Sequence, residues 1–339
     1  MNDGLKAIEM ANLVCRFGSE VLLDHFDDIV YPSLTDTDLV RTYGETSYFF
    51  EKVELIHLES VDESEVVGVV GRFIKDTKLR REQIYVQGQG LKHAPRSMQS
   101  SPSSLFLLVL NSHRLVYLKE TVDAPTKDAF RSTLLSLLRK KHSQVLKAVL
   151  AEVDEHKLDR DSAREAKDRL RAGLARPTLE LIPLTSEESI EEFIRAYEVL
   201  KQIKISLAER NDESDLNGFF DQMQQIKDDV GSTDTALVHR SNLGLDKDAA
   251  VQQVTAATAQ GNQKVTLRGL DEGGETIIGN NEKFQLKAPV EDISENPSEA
   301  GYQMYESFRA LVDRGLVRLP PEKKKTSRLV RRILARYFE

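Results

Sequence analysis

Asp271-Glu272-Gly273-Gly274-Glu275 gathers three carboxylates beside two glycines, the type of oxygen donor that a divalent cation takes. The simpler reading of the same five residues is a hairpin turn, in which glycine supplies positive φ and the acids keep the tip hydrated. The seven histidines, His25, His57, His93, His113, His142, His156 and His239, are scattered. No two of them have the spacing that sets a pair of imidazoles on one helix face for a metal. Gln87-Gly88-Gln89-Gly90 lacks the third glycine and the following helix of a dinucleotide fingerprint, so it reads as a turn. Cys15 is the only cysteine and lies among Ala11, Leu13 and Val14, which excludes an internal disulfide and points to a core position. No serine nucleophile elbow or kinase signature is present. No catalytic residue, cofactor or metal is assigned; the enzyme alternative is a nuclease or nucleotide-processing centre built from carboxylates distant in sequence.

The last seventeen residues, KKKTSRLVRRILARYFE, carry a more ordered signal. Lys323, Lys324, Lys325, Arg328, Arg331, Arg332 and Arg336 stand against Glu339 alone, and the tail's +6 leaves −14 on the rest of a chain whose formal net charge is −8. Leu329, Val330, Ile333, Leu334, Tyr337 and Phe338 recur as pairs every four residues, the pattern of an amphipathic helix with a basic opposite side. Arg139, Lys140 and Lys141 make a second, smaller cluster. The leading reading is a DNA interface in which the arginines meet phosphates and release condensed counterions. Three others compete: an anionic membrane surface, a groove on a partner protein, and self-neutralisation by the chain's own acids. Aromatic residues make up only 6% of the chain and tryptophan is absent, which leaves few stacking platforms for unpaired bases.

The elements that must position these residues fall into two strand-rich regions. Residues 10–18, 46–60, 66–74 and 81–88 alternate like strands, and 103–120 read as a hairpin with its turn at Asn111-Ser112-His113. Val21 to Ile29 have helical spacing, and Pro32 is expected to end that helix; Ser- and Pro-rich 93–104 are expected to be a mobile loop. From Pro125 the period turns helical and then charge-laced, with Arg164–Asp168 and Glu165–Arg169 at helical spacing. Beyond 178, strands and helices alternate as βαβαβ, then a helix and a meander through 264–290, with a last amphipathic helix near 297–316. The expected architecture is α+β with mixed or antiparallel sheets: an N-terminal domain at 1–124, a helical connector at 125–177, a C-terminal domain at 178–320 covered by helices on one face, and the tail helix at 321–339. No apolar run spans a bilayer and the first residues lack a secretory signal, so a cytosolic location is expected.

The order of elements from LIPL (181–184) through IKISLAERNDES, ALVHRSN and KVTLRGLDEGGETIIGNNEKFQLKAPVED resembles the C-terminal half of RexA-like phage-exclusion proteins, over about residues 178–293. The N-terminal half resembles that family through its strand-rich start and its Leu/Phe-rich hairpin. The resemblance implies a DNA-binding homodimer that senses phage replication or recombination intermediates or proteins and signals to a membrane protein encoded nearby, which would bring it to the inner membrane. Kiwa-type defence has a similar division between a soluble DNA-binding part and a membrane part. No binding residue is transferred from either group.

Overall fold

The computed structural model describes residues 6–61, 64–155, 160–211 and 218–338; His156 and Glu339 of the sequence reading lie outside them. The chain begins with β1 (Lys6–Phe17) and β2 (Glu20–Val21), then a 3₁₀ turn (Leu22–His25), a π turn (Phe26–Val30) and α1 (Tyr31–Thr35). β3 (Arg41–Tyr43), β4 (Thr46–Val61), β5 (Ser64–Val86), β6 (Gly90–Ser100), β7 (Ser103–Val109) and β8 (Arg114–Lys119) follow, then α2 (Lys127–Glu155) and α3 (Arg160–Gly173). The remainder is β9 (Thr178–Pro183), α4 (Glu187–Arg195), β10 (Val199–Leu207), α5 (Gly218–Asp229), β11 (Ala236–Arg240) and α6 (Lys247–Thr258). It closes with β12 (Gln263–Leu270), β13 (Thr276–Asn280), β14 (Lys287–Val290), α7 (Pro297–Asp313) and α8 (Lys324–Tyr337).

The fold is α+β, with two antiparallel sheets. The larger has the order β14-β1-β8-β7-β5-β4-β3, with β2 and β9 also on β1 and β6 on β5; the smaller has the order β11-β10-β12-β13. Alternation splits the larger sheet's side chains between two cores. Leu13, Cys15, Phe106, Leu108, Leu115 and Tyr117 face the layer of α1, α2 and α8, whereas Ile8, Met10, Leu105, Leu107, Val116 and Leu118 face α7. Burial on both faces explains why 105–110 is an unbroken apolar run instead of an alternating one. Burial also pushes the Cys15 thiol up to about 12, which keeps it an inert core residue.

α2 is fixed by one ring. Phe130 meets Phe50, Phe73, Phe106 and Tyr117 at centroid distances of 5.2–5.7 Å, mostly in the edge-on geometry that aromatic quadrupoles favour. In the smaller sheet, Ile203, Ile205, Val265 and Leu267 pack on Ile190 and Ile194 of α4 and Val254 of α6. Among the described residues no helix is long and apolar enough to cross a membrane.

The 22–35 segment stays helical past Pro32, because Pro32 sits in the first turn of α1, where no amide hydrogen is needed. Residues 93–100 are not a mobile loop but most of β6, with Pro95 at a register shift in the pairing with β5, a position proline tolerates. The expected meander also breaks. After the β12–β13 hairpin, β14 leaves for the larger sheet and pairs with β1 from Lys6 to Glu9, while β9 pairs with the other half of β1. Strand pairing therefore crosses residue 177.

The two sheets meet at Asn12. Its amide donates to Gly261 O and Asn262 Oδ1, both at 3.1 Å, and its oxygen accepts from Arg114 at 2.7 Å and Asn211 at 3.2 Å. Every hydrogen-bonding capacity of that side chain is used inside the protein. Asn12→Ala removes all of these bonds at a buried junction and is expected to lower stability by about 2–4 kcal/mol. The urea unfolding midpoint, read at unchanged m-value, measures it.

Candidate nucleic-acid interface

The tail folds as read from its sequence, but it does not hang free. Leu329, Val330 and Ile333 of α8 are buried in the larger sheet's first core, and Tyr337 stacks edge-on against Tyr31 at 5.2 Å. Docking brings part of its basic side onto acids of the 22–30 turns. Lys325 pairs with Asp24 at 2.8 Å, and Arg332 and Arg336 approach Asp27 at 3.4 and 3.6 Å. Arg331 is exposed, and Lys323, Lys324 and Arg328 are exposed with no ion pair among the described residues.

The second cluster lies on α2, on the same side of the larger sheet. Lys141 pairs with Asp36 at 3.3 Å, Lys140 donates to Val40 O at 2.6 Å, and Arg139 donates to Pro177 O at 3.4 Å. Asp24, Asp27 and Asp36 thus partly neutralise both clusters from one helical segment. Even so, Arg131, Arg139, Lys140 and Arg176 line an open depression of about 780 Å³ with Ser132, Ser136 and Ser143, and no carboxylate lines it. Arg41 of β3 borders it, donating to Ser132 Oγ at 2.9 Å and lying over the Tyr48 ring.

The strongest positive feature is one that sequence reasoning missed. β5 runs on past its partners β4 and β7 and pairs only with β6, so that Thr77–Val86 and Gly90–Ser100 form a two-stranded ribbon, extending about 30 Å at the usual rise per residue. Its turn is the Gln87-Gly88-Gln89-Gly90 segment, with Gly88 and Gly90 at φ of 79° and 76°. Residues 75–100 hold Lys75, Lys78, Arg80, Arg81, Lys92 and Arg96 against Asp76 and Glu82. Of these, Arg80 pairs with Glu45 at the ribbon's base.

The register sorts one side of the ribbon into the cross-strand pairs Leu79–Met98, Arg81–Arg96, Gln83–His93 and Tyr85–Leu91. On β5 these residues continue the odd-numbered series of Val67, Val69 and Phe73, which faces α2. Arg81 and Arg96 are both exposed, stand directly opposite each other, and make no ion pair among the described residues; Arg81 donates only to Ala94 O, at 3.4 Å. Like charges opposed across a ladder are destabilising, and an anion between them removes that cost. At the tip Tyr85 and Leu91 are 72% and 70% exposed. Beside a basic track, such apolar side chains can wedge against bases.

The acidic turn at 271–275 is internally satisfied: Asp271 Oδ1 accepts from Glu275 N at 2.8 Å, and Gly274 N donates to Asp271 O at 3.0 Å. Among the described residues no group of three His, Cys, Asp or Glu could hold a metal ion. No protein-family model matches the chain, and no curated protein matches it either.

Asp24 yields a pH prediction. Burial works against its charge, yet hydrogen bonds from Lys325 and Val21 N, together with the positive charge of Lys325 and His25, hold its carboxyl below the ordinary value. A depressed carboxylate contributes stability above its unfolded pKa and loses it as pH falls through the folded one. Amide exchange at 329–337 is therefore expected to be insensitive to Asp24 titration from neutrality down to the ordinary carboxylate value, with α8 loosening only below it. Replacing Asp24 and Asp27 by Asn should cost about 1–2 kcal/mol, since the paired cations are half exposed. The same change should raise affinity for polyanions, which a duplex titration measures.

Proposed function

We propose that this protein binds duplex DNA chiefly through its phosphates, using the β5–β6 ribbon and the α2 depression, with Lys323, Lys324 and Arg328 of the tail as a further contact. The observation that carries this reading is the exposed, opposed Arg81–Arg96 pair on a ribbon with little else to stabilise it. Neutralising a phosphate between two arginines turns a destabilising pair into a favourable one. The tail residues Lys325, Arg332 and Arg336 contribute less than their sequence suggests, because docking has already given them carboxylate partners. Contacts of this kind set position without reading bases, so sequence preference is weak.

The likeness of residues 178–293 to RexA-like proteins supports placing this binding in a phage-defence sensor. In that reading the protein acts as a homodimer, responds to phage replication or recombination intermediates, and signals to a membrane-protein partner. The ribbon is where an approaching duplex would first be met.

Arg81→Gln with Arg96→Gln separates function from stability. Duplex affinity should fall about tenfold or more, and the slope of log affinity against log salt should flatten by about 2. The melting temperature should hold or rise, because a like-charge cross-strand pair is gone. Fluorescence anisotropy over a salt series, paired with thermal melts, tests both; unchanged affinity and slope would reject the ribbon as the interface.

A further inference from the structure

The four strands of the smaller sheet contain no Asp or Glu, in a chain that has 55 of them. Charge is thus depleted of one sign on a single surface. The sheet's inner side is taken up by α4 and α6, so the pleat turns the alternate residues outward. Register aligns them in rows: Arg240–Gln202–Arg268–Ile278, then Val238–Lys204–Thr266–Asn280, then Ala236–Ser206–Lys264. Arg240 and Arg268 are exposed, with Arg240 donating to Gln202 at 3.2 Å, and Lys264 reaches Glu180 at the sheet margin at 2.8 Å. Val238 and Ile278 are 40% and 59% exposed among these cations.

We infer that this open face binds a single strand of nucleic acid, with Lys204, Arg240 and Arg268 on its phosphates. An open antiparallel face presents no helix or ribbon to enter a duplex groove, whereas splayed bases can lie across such a sheet. Gln202, Thr266 and Asn280 offer hydrogen bonds to base edges, and Val238 and Ile278 offer apolar contact. With no aromatic residue in these rows, the phosphates carry the affinity, so binding is salt-sensitive and sequence-tolerant. The inference rests on the nucleic-acid reading above and deepens it: the ribbon takes paired DNA and the second sheet takes an unpaired strand.

The experiment titrates the full chain with an oligothymidylate and with a duplex of equal length. It compares wild type, the triple variant Lys204→Gln/Arg240→Gln/Arg268→Gln, and the ribbon variant Arg81→Gln/Arg96→Gln. The triple variant is expected to lose about tenfold or more in single-strand affinity, with its salt slope flattened by about 2, while duplex affinity stays within about twofold. The ribbon variant should show the opposite pattern. Where the triple variant melts early, Arg268→Glu alone, at an exposed position, serves in its place and should lower single-strand affinity at least threefold. Wild type that binds duplex but no single strand overturns this inference and leaves the proposed function standing. Equal loss on both ligands by the triple variant also overturns it. Single-strand binding lost through these residues, with no duplex binding by wild type, upholds it and rejects the ribbon reading.

Discussion

Asn12 is the point on which the two halves of the molecule depend. It lies where β1 changes partners, with β14 along its first residues and β9 along its last. Its side chain ties that strand to the end of α6 and to the segment after β10. Gly261 makes the approach possible. At φ of 66° it has the left-handed backbone that glycine alone adopts freely, and a Cβ there would sit 3.0 Å from that of Asn12 and 2.8 Å from Leu184 Cδ2. Arg114 is fully buried beside it and bonds to Asn12, Ser112 O and Gln260 O. A packed polar knot of this kind admits one relative placement of the sheets, since partial loss of its bonds leaves polar groups dry.

What the sequence made legible was local. The 103–120 hairpin, the apolar stripe of α8 and the amphipathic α4 and α7 follow from spacing alone, because each buries one face against a neighbour. Non-local pairing was not legible. β14 reads as the third strand of a meander, and only its partner at Lys6–Glu9, far away in sequence, shows otherwise. Pro95 disguised β6 as loop, since the register shift that accommodates it is a property of two strands and not of one.

The same division applies to the interface. A run of seven cations is visible in the sequence, but the carboxylates that claim three of them are about three hundred residues upstream. The opposed arginines of the ribbon become neighbours only through strand register, so no spacing rule could have paired Arg81 with Arg96. A usable signal did exist. Residues 75–100 are basic within an acidic chain, and they flank a two-glycine turn with strand-forming residues on either side. Positive charge in this protein is thus gathered on the ribbon, on α2, on α8 and on one face of the smaller sheet, in a chain whose formal net charge is −8.

β5 passes from the larger sheet into the ribbon as one strand of 23 residues. A tug along the ribbon axis therefore loads the ladders to β4 and β7 in shear, so that many hydrogen bonds resist together instead of peeling one by one. The arm is thus rooted in the core, because the strand that forms one of its edges begins beside α8.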